Sequence, residues 1–379
     1  MNLIIDGHAY LNVISPVALH ILRNNASEEE IFDTYGELTP EAKEFFKGFF
    51  IRFLGNIITP YNRFLNHVYI VLDKDSWRKY YTKKFCNRNP NIAEYEYKGN
   101  RKKSKEKKSN IFKLFDFFIK EIAPELVTLQ GVTVLSVRGA EGDDLIAFLS
   151  NKLDGHVVIW SGDTDLCQLL TVGDNVTFMV TPKRQGKNPI KKVYIPIYED
   201  KGINLTNNMM DFNNVITFFN THKDYMVEES DFNIELLVKI IGGDRGDNIQ
   251  SLYHYLSDTG RRMNISEAQA RSIVSSLLAK YQSHDILKLL DESNEEFFKD
   301  IVDISFEKKN LKKKNDERNL KSEILTNLKF NIKMIRLSEA TIPAILLETA
   351  EHKLNLVKNP HKFNFMDFMG FVKLAENTI

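Results

Sequence analysis

The sequence has very little cysteine. Among its 379 residues only Cys86 and Cys167 are cysteines, and they form no CxxC pattern. A disulfide framework and a cysteine-ligated zinc site are therefore excluded, and a reducing compartment is favoured. The chain also lacks an apolar run of the ~18 residues that a membrane span needs. Its N-terminus, MNLIIDGHAYL, has no basic segment before the apolar stretch, so we expect no signal peptide and a cytoplasmic protein without membrane contact.

A net charge is also missing, because 51 Lys and Arg residues balance 51 Asp and Glu residues. The two signs are nevertheless segregated along the chain. Residues 98–108 (KGNRKKSKEKK) carry seven bases and one acid, and residues 308–314 (KKNLKKK) form a second basic cluster. Local fields rather than net charge steer a polyanion. The neutral total is therefore compatible with a basic surface beside an acidic pocket.

Short apolar segments alternate with longer amphipathic segments in the first half of the chain. LIID, HVYIVLD, VTVLSV and HVVIWSGD have the composition of buried strands, and the segments between them have helical spacing. Thr39 and Pro40, for example, predict the N-cap and the first residue of a helix. This alternation predicts an α/β fold, with a central twisted, mostly parallel sheet that is covered by helices on both faces.

The pattern weakens from about residue 174, and the last third of the chain is predicted to be mainly helical. Gly242 and Gly243 end one predicted helix, and Ser266 with Gln269 forms a capping-box pattern. We therefore divide the chain into an α/β core over residues 1–241, a second region over 242–290 and a helical C-terminal region over 291–379.

Carboxylates recur directly after the predicted strands. Parallel strands of an open sheet end at one ligand-binding edge, so these acids should converge there, and the acids of GGDRGDN follow a predicted helix. The candidates are Asp6, Asp73, Glu141, Asp143, Asp144, Asp163, Asp165, Asp244 and Asp247. Clustered like charges destabilise a fold, and hard divalent cations relieve this by binding carboxylate oxygens. Two such ions can clamp the attacking and leaving oxygens of a phosphodiester, so we predict a site for two Mg²⁺ in which Mn²⁺ also supports activity.

Each acid also has an ordinary structural interpretation. An aspartate after a strand is often the N-cap of the next helix, and GDTD and DRGDN are good turn sequences. We assign Asp75 to this interpretation, as a cap before Ser76 and Trp77. The specific signal is the joint pattern, and above all the three acids of AEGDD.

Taken in order, with the basic segment between the second and third acidic clusters, the chain resembles the flap endonuclease family of structure-specific 5′ nucleases, and most closely the T-even phage RNase H type. The matching segments are LIIDG, VLDKDSWRKYY, YKGNR, AEGDDLIA, SGDTDLCQLL and GGDRGDNI. The resemblance implies a helical arch at about residues 76–122 and a duplex-binding helix–three-turn–helix element over 242–290. It also implies a role in phage DNA replication, in the host cytoplasm.

The resemblance assigns roles residue by residue. The first metal cluster is matched by Asp6, Asp73, Glu141 and Asp143, of which Asp143 is also counted as catalytic. The second metal cluster is matched by Asp163, Asp165, Asp244 and Asp247, and Asp144 is similar to an acid near both ions. Lys98 and Arg101 match catalytic basic residues that reach the scissile phosphate.

The long connection between Asp73 and Glu141 carries bases that can neutralise phosphate and aromatic rings that can stack on unpaired bases. The predicted nucleic-acid contacts are Arg78, Lys79, Tyr97, Lys98, Arg101, Lys102, Lys103, Arg261 and Arg262. A solvated charge run in a loop is the alternative. The expected partners are branched or nicked DNA and RNA–DNA hybrids, with a docking segment for a single-strand DNA-binding protein in the aromatic C-terminal region. We expect a monomer.

We therefore predict a divalent-metal-dependent 5′ to 3′ exonuclease and flap endonuclease. It would remove RNA primers and 5′ flaps and leave 5′-phosphate and 3′-hydroxyl ends. Two alternatives stay open. A haloacid dehalogenase-like Mg²⁺-dependent phosphatase would use Asp73 as nucleophile and Asp75 as its acid–base partner. A non-catalytic branched-DNA-binding protein would have the same fold.

Overall fold

The computed structural model describes residues 1–89, 96–101, 109–171, 177–182, 191–196, 225–230, 232–256, 262–308, 317–357 and 361–376. The chain folds into two compact units. Unit 1 consists of Met1–Asp75, Ser104–Glu229 and Glu348–Ile379, and unit 2 consists of Ser76–Lys103 and Ser230–Leu347. The predicted regions 242–290 and 291–379 do not coincide with these units, and their separate roles stay predictions.

The described residues include a seven-stranded sheet in the order β3-β2-β1-β4-β5-β6-β7. Its strands are β1 (Asn2–Asp6), β2 (His67–Val71), β3 (Val132–Leu135), β4 (Val157–Trp160), β5 (Thr177–Val180), β6 (Lys191–Pro196) and β7 (Tyr225–Ser230). β1 pairs in parallel with β2 and β4, β2 with β3, and β4 with β5, whereas β6 runs antiparallel to β5. The predicted mostly parallel sheet is confirmed.

The register of the parallel strands brings their carboxyl ends to one edge. Asp6 at the end of β1 pairs with Val71 at the end of β2, and Val71 pairs with Leu135 at the end of β3. On the other side of β1, Ile5 pairs with Trp160, the last residue of β4. The segments that leave these strands therefore start side by side, which is the condition for acids from separate motifs to meet.

The α-helices alternate with the strands in the first part of the chain and make up most of the described elements after β7. In chain order they are α1 (Gly7–Arg23), α2 (Glu28–Ile31), α3 (Pro40–Ile58), α4 (Trp77–Arg88), α5 (Ser109–Phe117), α6 (Ala123–Leu126), α7 (Gly142–Lys152), α8 (Phe232–Gly242), α9 (Glu267–Leu278), α10 (Ile286–Asp291), α11 (Glu295–Lys308), α12 (Glu317–Ile335), α13 (Ala344–Val357) and α14 (Phe365–Glu376). None of the described helices is both long enough and apolar enough to cross a bilayer.

Helix α3 shows how local signals set the elements of unit 1. Thr39 is its N-cap and accepts a hydrogen bond from the Ala42 backbone N at 3.2 Å, and Pro40 is its first residue, as predicted. Its apolar face buries Phe46 and Phe50, which join the core of unit 1. α14, from the C-terminal part of the chain, packs against α3. The last helix is thus a packing element of unit 1.

The segment TDLCQLL, which follows β4, forms a 3₁₀ stretch, Thr164–Leu169. Asp163 caps the stretch by accepting from the Asp165 backbone N, and the chain then turns towards β5. β5, β6 and β7 lie beyond residue 174, where the sequence pattern weakens, so the sheet extends further along the chain than the strong strand patterns reach.

Unit 2 is built mainly from helices α8 to α12, with α4 packed among them. Tyr81 and Phe85 of α4 stack on Phe330 of α12, at ring-centroid distances of 5.7 and 4.0 Å. A two-stranded antiparallel ribbon, β8 (His254–Leu256) with β9 (Arg262–Asn264), precedes α9. The predicted capping box of Ser266 and Gln269 is present at the start of α9. The predicted arch at 76–122 is divided between the units, and residues 90–95 and 102–108 of it lie outside the described part of the chain.

Candidate functional site

Asp6 lies at the junction of β1 and α1 in unit 1. Its Oδ1 accepts from the Ala9 backbone N at 2.9 Å, so it is the N-cap of α1, and its Oδ2 accepts from Ser161 Oγ at 2.6 Å. The residue is only 7% exposed. The capping interpretation is therefore correct for one oxygen, while the other oxygen is turned towards the segment that follows β4.

Glycine at position 7 allows this junction to sit close to the end of β2. A Cβ added there would lie 2.6 Å from the Val71 carbonyl oxygen, and also 2.6 Å from Leu72 Cδ2. The Asp-Gly of LIIDG thus brings the start of α1 against the segment that carries Asp73. Packing against a neighbouring strand therefore requires glycine here, because a Cβ would clash with the backbone of that strand.

Asp73 follows β2 by two residues and is held from two sides. His8 Nδ1 lies 3.4 Å from the Asp73 backbone N and 3.6 Å from its Oδ2. On the other side, the Gly142 backbone N donates to Asp73 Oδ1. Asp73 therefore connects the start of α1 with the start of α7, which carries the AEGDD acids.

The pKa of Asp6 shows that the two carboxylates interact. Burial raises the pKa of Asp6, and hydrogen bonds from the Ala9 backbone and the Ser161 hydroxyl partly oppose that rise. The charge of Asp73 raises the pKa of Asp6 further, and His8 lowers it. The charge of Asp73 thus disfavours the ionised form of Asp6, as expected for neighbouring like charges.

The acids of AEGDD have different surroundings. Glu141 is the buried N-cap of α7, and its backbone N donates to Asp144 Oδ2 at 3.1 Å. Asp144 is 1% exposed and completes a capping box with Glu141. Asp143 is half-buried. The sequence pattern thus combines the cap of α7 with two acids, Glu141 and Asp143, that flank Gly142, whose backbone N contacts Asp73.

The segment after β4 carries the next acids. Asp163 is exposed, its backbone N donates to Ser161 Oγ at 3.1 Å, and its Oδ1 accepts from the Asp165 backbone N at 2.9 Å. Asp165 is half-buried. Ser161 therefore contacts both Asp6 and the Asp163 turn. Sequence reasoning missed Ser161, and the available signal was its place directly between a buried strand and the GDTD turn.

The unit 1 acids lie along one edge but are not gathered around one point. Among the described residues, no group of three or more Asp, Glu, His or Cys side chains is placed to hold a metal ion. The links between neighbours are instead Asp6–Ser161–Asp163 and Asp73–Gly142. The possible metal ligands at this edge are carboxylate oxygens, the type that Mg²⁺ prefers. Mg²⁺ commonly keeps several waters between itself and such ligands. The donor chemistry therefore fits a hydrated Mg²⁺ or Mn²⁺ ion.

In unit 2, the acids of GGDRGDN stabilise their own loop and hold the YKGNR segment. Asp244 Oδ1 accepts from the Gly246 backbone N at 2.8 Å, and its Oδ2 lies 3.1 Å from Lys239 Nζ. Asp247 Oδ2 accepts from the Tyr97 hydroxyl at 2.7 Å and lies 3.8 Å from Lys98 Nζ. Asp244 thus matches the turn interpretation, and the assignment of either acid to a metal cluster stays a prediction.

Backbone contacts lock the two segments together. The Lys98 backbone N donates to the Asp247 carbonyl at 2.9 Å, and Asn100 Nδ2 donates to the Arg245 carbonyl at 2.9 Å. Asn248 Nδ2 donates to the Glu96 carbonyl at 2.8 Å. Lys98 has a φ of 55°, in the left-handed region that non-glycine residues rarely adopt. The Lys98 backbone is therefore held in a defined position by unit 2.

The structure corrects two of the predicted nucleic-acid contacts. Arg78 is 2% exposed, its Nε donates to the Met334 carbonyl at 2.9 Å, and its guanidinium lies 4.7 Å from the Trp77 ring centroid. Its position in α4 faces the interior of unit 2, so it is not available to phosphates. Tyr97 is 3% exposed and belongs to the core of unit 2, so its ring is not presented for base stacking.

The remaining predicted contacts stay predictions. Lys79 is exposed on α4, on the side of the helix that also exposes Tyr80, Lys83 and Lys84. The whole of Lys102, Lys103 and Arg261, and the side chains of Arg101 and Arg262, lie outside the described residues.

The expectation that Asp75 caps the next helix is also wrong by one residue. The N-cap of α4 is Ser76, and Asp75 precedes it with a φ of 79°. The left-handed backbone at Asp75 redirects the chain before the helix starts. Asp75 is therefore a turn residue.

Comparison with known proteins finds a family model that is similar to part of the chain. Residues 47–199 match the model of the 5′-3′ exonuclease, N-terminal resolvase-like domain. This range contains β2, the AEGDD acids and the turn with Asp163. No curated protein sequence matches the chain significantly.

Among solved structures, the chain is similar to proteins of bacteriophage T5. A T5 protein co-crystallised with metal ions has 16% identity and a TM-score of 0.44, with 94% of this chain and 99% of that chain covered. The T5 flap endonuclease in a product complex with DNA and metal ions gives the same values. The T5 5′-exonuclease with bound zinc has 16% identity and a TM-score of 0.42, with 94% of this chain and 100% of that chain covered.

The match covers four of the six motifs that carry the resemblance and includes Asp73, Glu141 and Asp163, whereas LIIDG and GGDRGDNI lie outside it. Residues 47–199 of this chain are therefore similar to the 5′-3′ exonuclease, N-terminal resolvase-like domain.

Proposed function

We propose that this protein is a divalent-metal-dependent 5′ nuclease that hydrolyses phosphodiester bonds in flapped, nicked or RNA-primed DNA. The observation that carries the proposal is the row of carboxylates along one edge of the sheet in unit 1. Asp6 ends β1, Asp73 and Asp163 follow the adjacent parallel strands β2 and β4, and the charge of Asp73 raises the pKa of Asp6. The match of residues 47–199 to a 5′-3′ exonuclease domain supports the same reaction.

The acids of this edge would hold the metal ions. Asp6, Asp73, Glu141, Asp143, Asp163 and Asp165 offer the carboxylate oxygens, directly or through water. When bound, a pair of divalent ions supplies an activated water and stabilises the charge that develops on the leaving oxygen. We assign Asp144 to positioning because it is 1% exposed and caps α7, and Asp244 because it accepts from the Gly246 backbone N within its own turn and lies beside Lys239. Mg²⁺ and Mn²⁺ are the ions that we expect to support activity.

The basic residues would bind the polyanionic substrate. In unit 2, Lys98 is the best-placed basic residue to contact the scissile phosphate. Backbone contacts fix its segment, and its ammonium lies 5.0 Å from the Tyr97 ring centroid. A cation held in this way is preorganised to stabilise negative charge on phosphate. Arg101 shares this role by resemblance. The exposed lysines of α4 would neutralise further phosphates of the nucleic acid.

The finer points of the proposal concern products and setting. Hydrolysis by an activated water would leave 5′-phosphate and 3′-hydroxyl ends, and the expected task is primer removal and flap trimming in phage replication. The protein would act as a monomer in the host cytoplasm. RNA–DNA hybrids and a single-strand DNA-binding protein are the further expected partners.

Cleavage of a 5′-labelled flap duplex tests the proposal. The wild type should cut with Mg²⁺ or Mn²⁺ and not with EDTA, and Asp6→Asn and Asp163→Asn should each slow cutting by at least about 10²-fold, as expected for loss of a group that binds a catalytic metal. Asp154→Asn is the matched control, because Asp154 is exposed and precedes β4, at the opposite edge of the sheet. Binding of the flap duplex without cutting would favour the non-catalytic alternative.

The phosphatase alternative predicts a different pair of results. It requires Asp75 as acid–base partner of Asp73, yet Asp75 is an exposed turn residue with a φ of 79°. If Asp75→Asn abolished activity while Asp163→Asn left it intact, and inorganic phosphate were the product, the nuclease assignment would be wrong.

A further inference from the structure

We propose that Ser161 is a positioning residue for the metal-binding edge, because its hydroxyl joins Asp6 to the turn that carries Asp163. The proposal rests on the proposed function, since it concerns the affinity of this edge for divalent cations. It assigns Ser161 no contact with substrate or with a reacting atom.

The hydrogen-bonding direction at Ser161 is unambiguous. The Asp163 backbone N can only donate, and it lies 3.1 Å from Ser161 Oγ, so the hydroxyl oxygen accepts there. The single hydroxyl proton then goes to Asp6 Oδ2 at 2.6 Å. This distance is at the short end of the range for O–H···O hydrogen bonds. The result is a directed chain from the Asp163 backbone N through Ser161 Oγ to Asp6.

The surroundings make Ser161 the residue that orients the Asp6 carboxylate and holds the backbone at the start of the Asp163 turn. Ser161 is 0% exposed, so water does not replace its hydroxyl, and its own backbone N donates to the Val180 carbonyl of β5 at 3.2 Å. Asp6 Oδ1 is already used by the Ala9 backbone N. The bond to Ser161 is therefore what fixes the second oxygen of Asp6.

Loss of the hydroxyl would affect two predicted metal-binding acids at once. Asp6 would lose the hydroxyl that holds its Oδ2 at 2.6 Å. The turn at Asp163 would lose the acceptor for its backbone N–H. Groups that orient metal ligands in this way typically change metal affinity by about 10–100-fold when removed. We expect Ser161→Ala to lie at the lower end, because the carboxylates themselves remain.

Direct titration with Mn²⁺, followed by the electron paramagnetic resonance signal of the free ion, tests the proposal without any substrate. Ser161→Ala should raise the Mn²⁺ dissociation constant by about tenfold or more, and Ser161→Thr, which keeps the hydroxyl, should stay within about threefold of wild type. Ser15→Ala is the matched control. Ser15 is also fully buried in unit 1, and its hydroxyl has no hydrogen-bond partner among the described residues.

A second measurement separates positioning from stability. Flap cleavage by Ser161→Ala should need about tenfold more Mn²⁺ for half-maximal rate and should recover much of the wild-type rate at saturation. A merely structural role would instead lower the melting temperature in EDTA and leave the affinity of the folded fraction unchanged. Should Ser161→Ala fail to fold, Ser161→Cys keeps the volume with a weaker donor and should show the same rise in dissociation constant.

The outcomes distinguish this proposal from the proposed function. Wild-type protein that neither binds Mn²⁺ nor cuts the flap would overturn the proposed function and this inference with it. Wild-type protein that does both, together with an unchanged dissociation constant in Ser161→Ala, would overturn the role of Ser161 alone. A threonine variant as weak as the alanine variant would also contradict it.

Discussion

Removal of one hydroxyl, in Tyr97→Phe, should loosen unit 2 at the Asp247 loop. The Tyr97 hydroxyl donates to Asp247 Oδ2 at 2.7 Å, and the tyrosine is buried in the core of unit 2. Hydrogen bonds to charged groups contribute about 1.5–3 kcal/mol. The Asp247 side chain is about one quarter exposed, so water can compensate in part. We therefore expect the lower end, about 1.5 kcal/mol of unfolding free energy, which corresponds to about a tenfold change in the unfolding equilibrium.

Urea unfolding followed by tryptophan fluorescence measures this change. Trp77 lies in unit 2 and Trp160 in unit 1, so a Trp160→Phe background leaves a reporter for unit 2 alone. Tyr80→Phe is the control in the same unit, because Tyr80 is an exposed residue of α4. A Tyr97→Phe loss no larger than that of Tyr80→Phe would refute the reasoning. Flap cleavage by Tyr97→Phe should also slow, because the same contact holds the segment that carries Lys98.

Three further predictions concern the metal, a glycine and a buried arginine. Excess Mg²⁺ should raise the melting temperature relative to EDTA, by the equivalent of ~2.7 kcal/mol at a hundred times the dissociation constant; equal melting temperatures would count against binding to the folded state. Gly7→Ala should cost about 1–3 kcal/mol in chemical denaturation, because its Cβ would lie 2.6 Å from the Val71 carbonyl oxygen, whereas Gly370→Ala has open space around it and should cost nothing. Arg78→Ala should lower the stability of unit 2 without changing the salt dependence of DNA binding. Lys79→Ala should reduce that salt dependence and leave the stability unchanged. A reduced salt slope in Arg78→Ala would show that the buried position is wrong.

The fold of unit 1 followed from local patterns where those patterns were strong. β1, β2 and β4 are apolar and bounded by polar residues, and α3 has both its cap and its proline. These signals depend on neighbours in the chain, so the sequence contains them. The strands from residue 177 onwards have weaker signals, since pairing at an existing sheet stabilises them more than their own composition does.

The basic residues show where composition misleads. An arginine in a segment rich in lysine is expected on the surface, and Lys79 is indeed exposed. Arg78, one position earlier, faces the interior because α4 turns its Arg78, Thr82 and Cys86 positions towards unit 2. Which face of a helix packs against its neighbours decides whether a residue is buried, and the charge of the residue does not.

The sequence by itself determined which side chains could do the chemistry and where most strands end, because residue type and hydrophobic period are local properties. Only the tertiary structure decided how these side chains support one another. Ser161 joins Asp6 to the Asp163 turn across 155 positions, and Tyr97 joins Asp247 across 150 positions. Such bonds depend on the register of parallel strands and on the packing of distant segments, which no local pattern encodes.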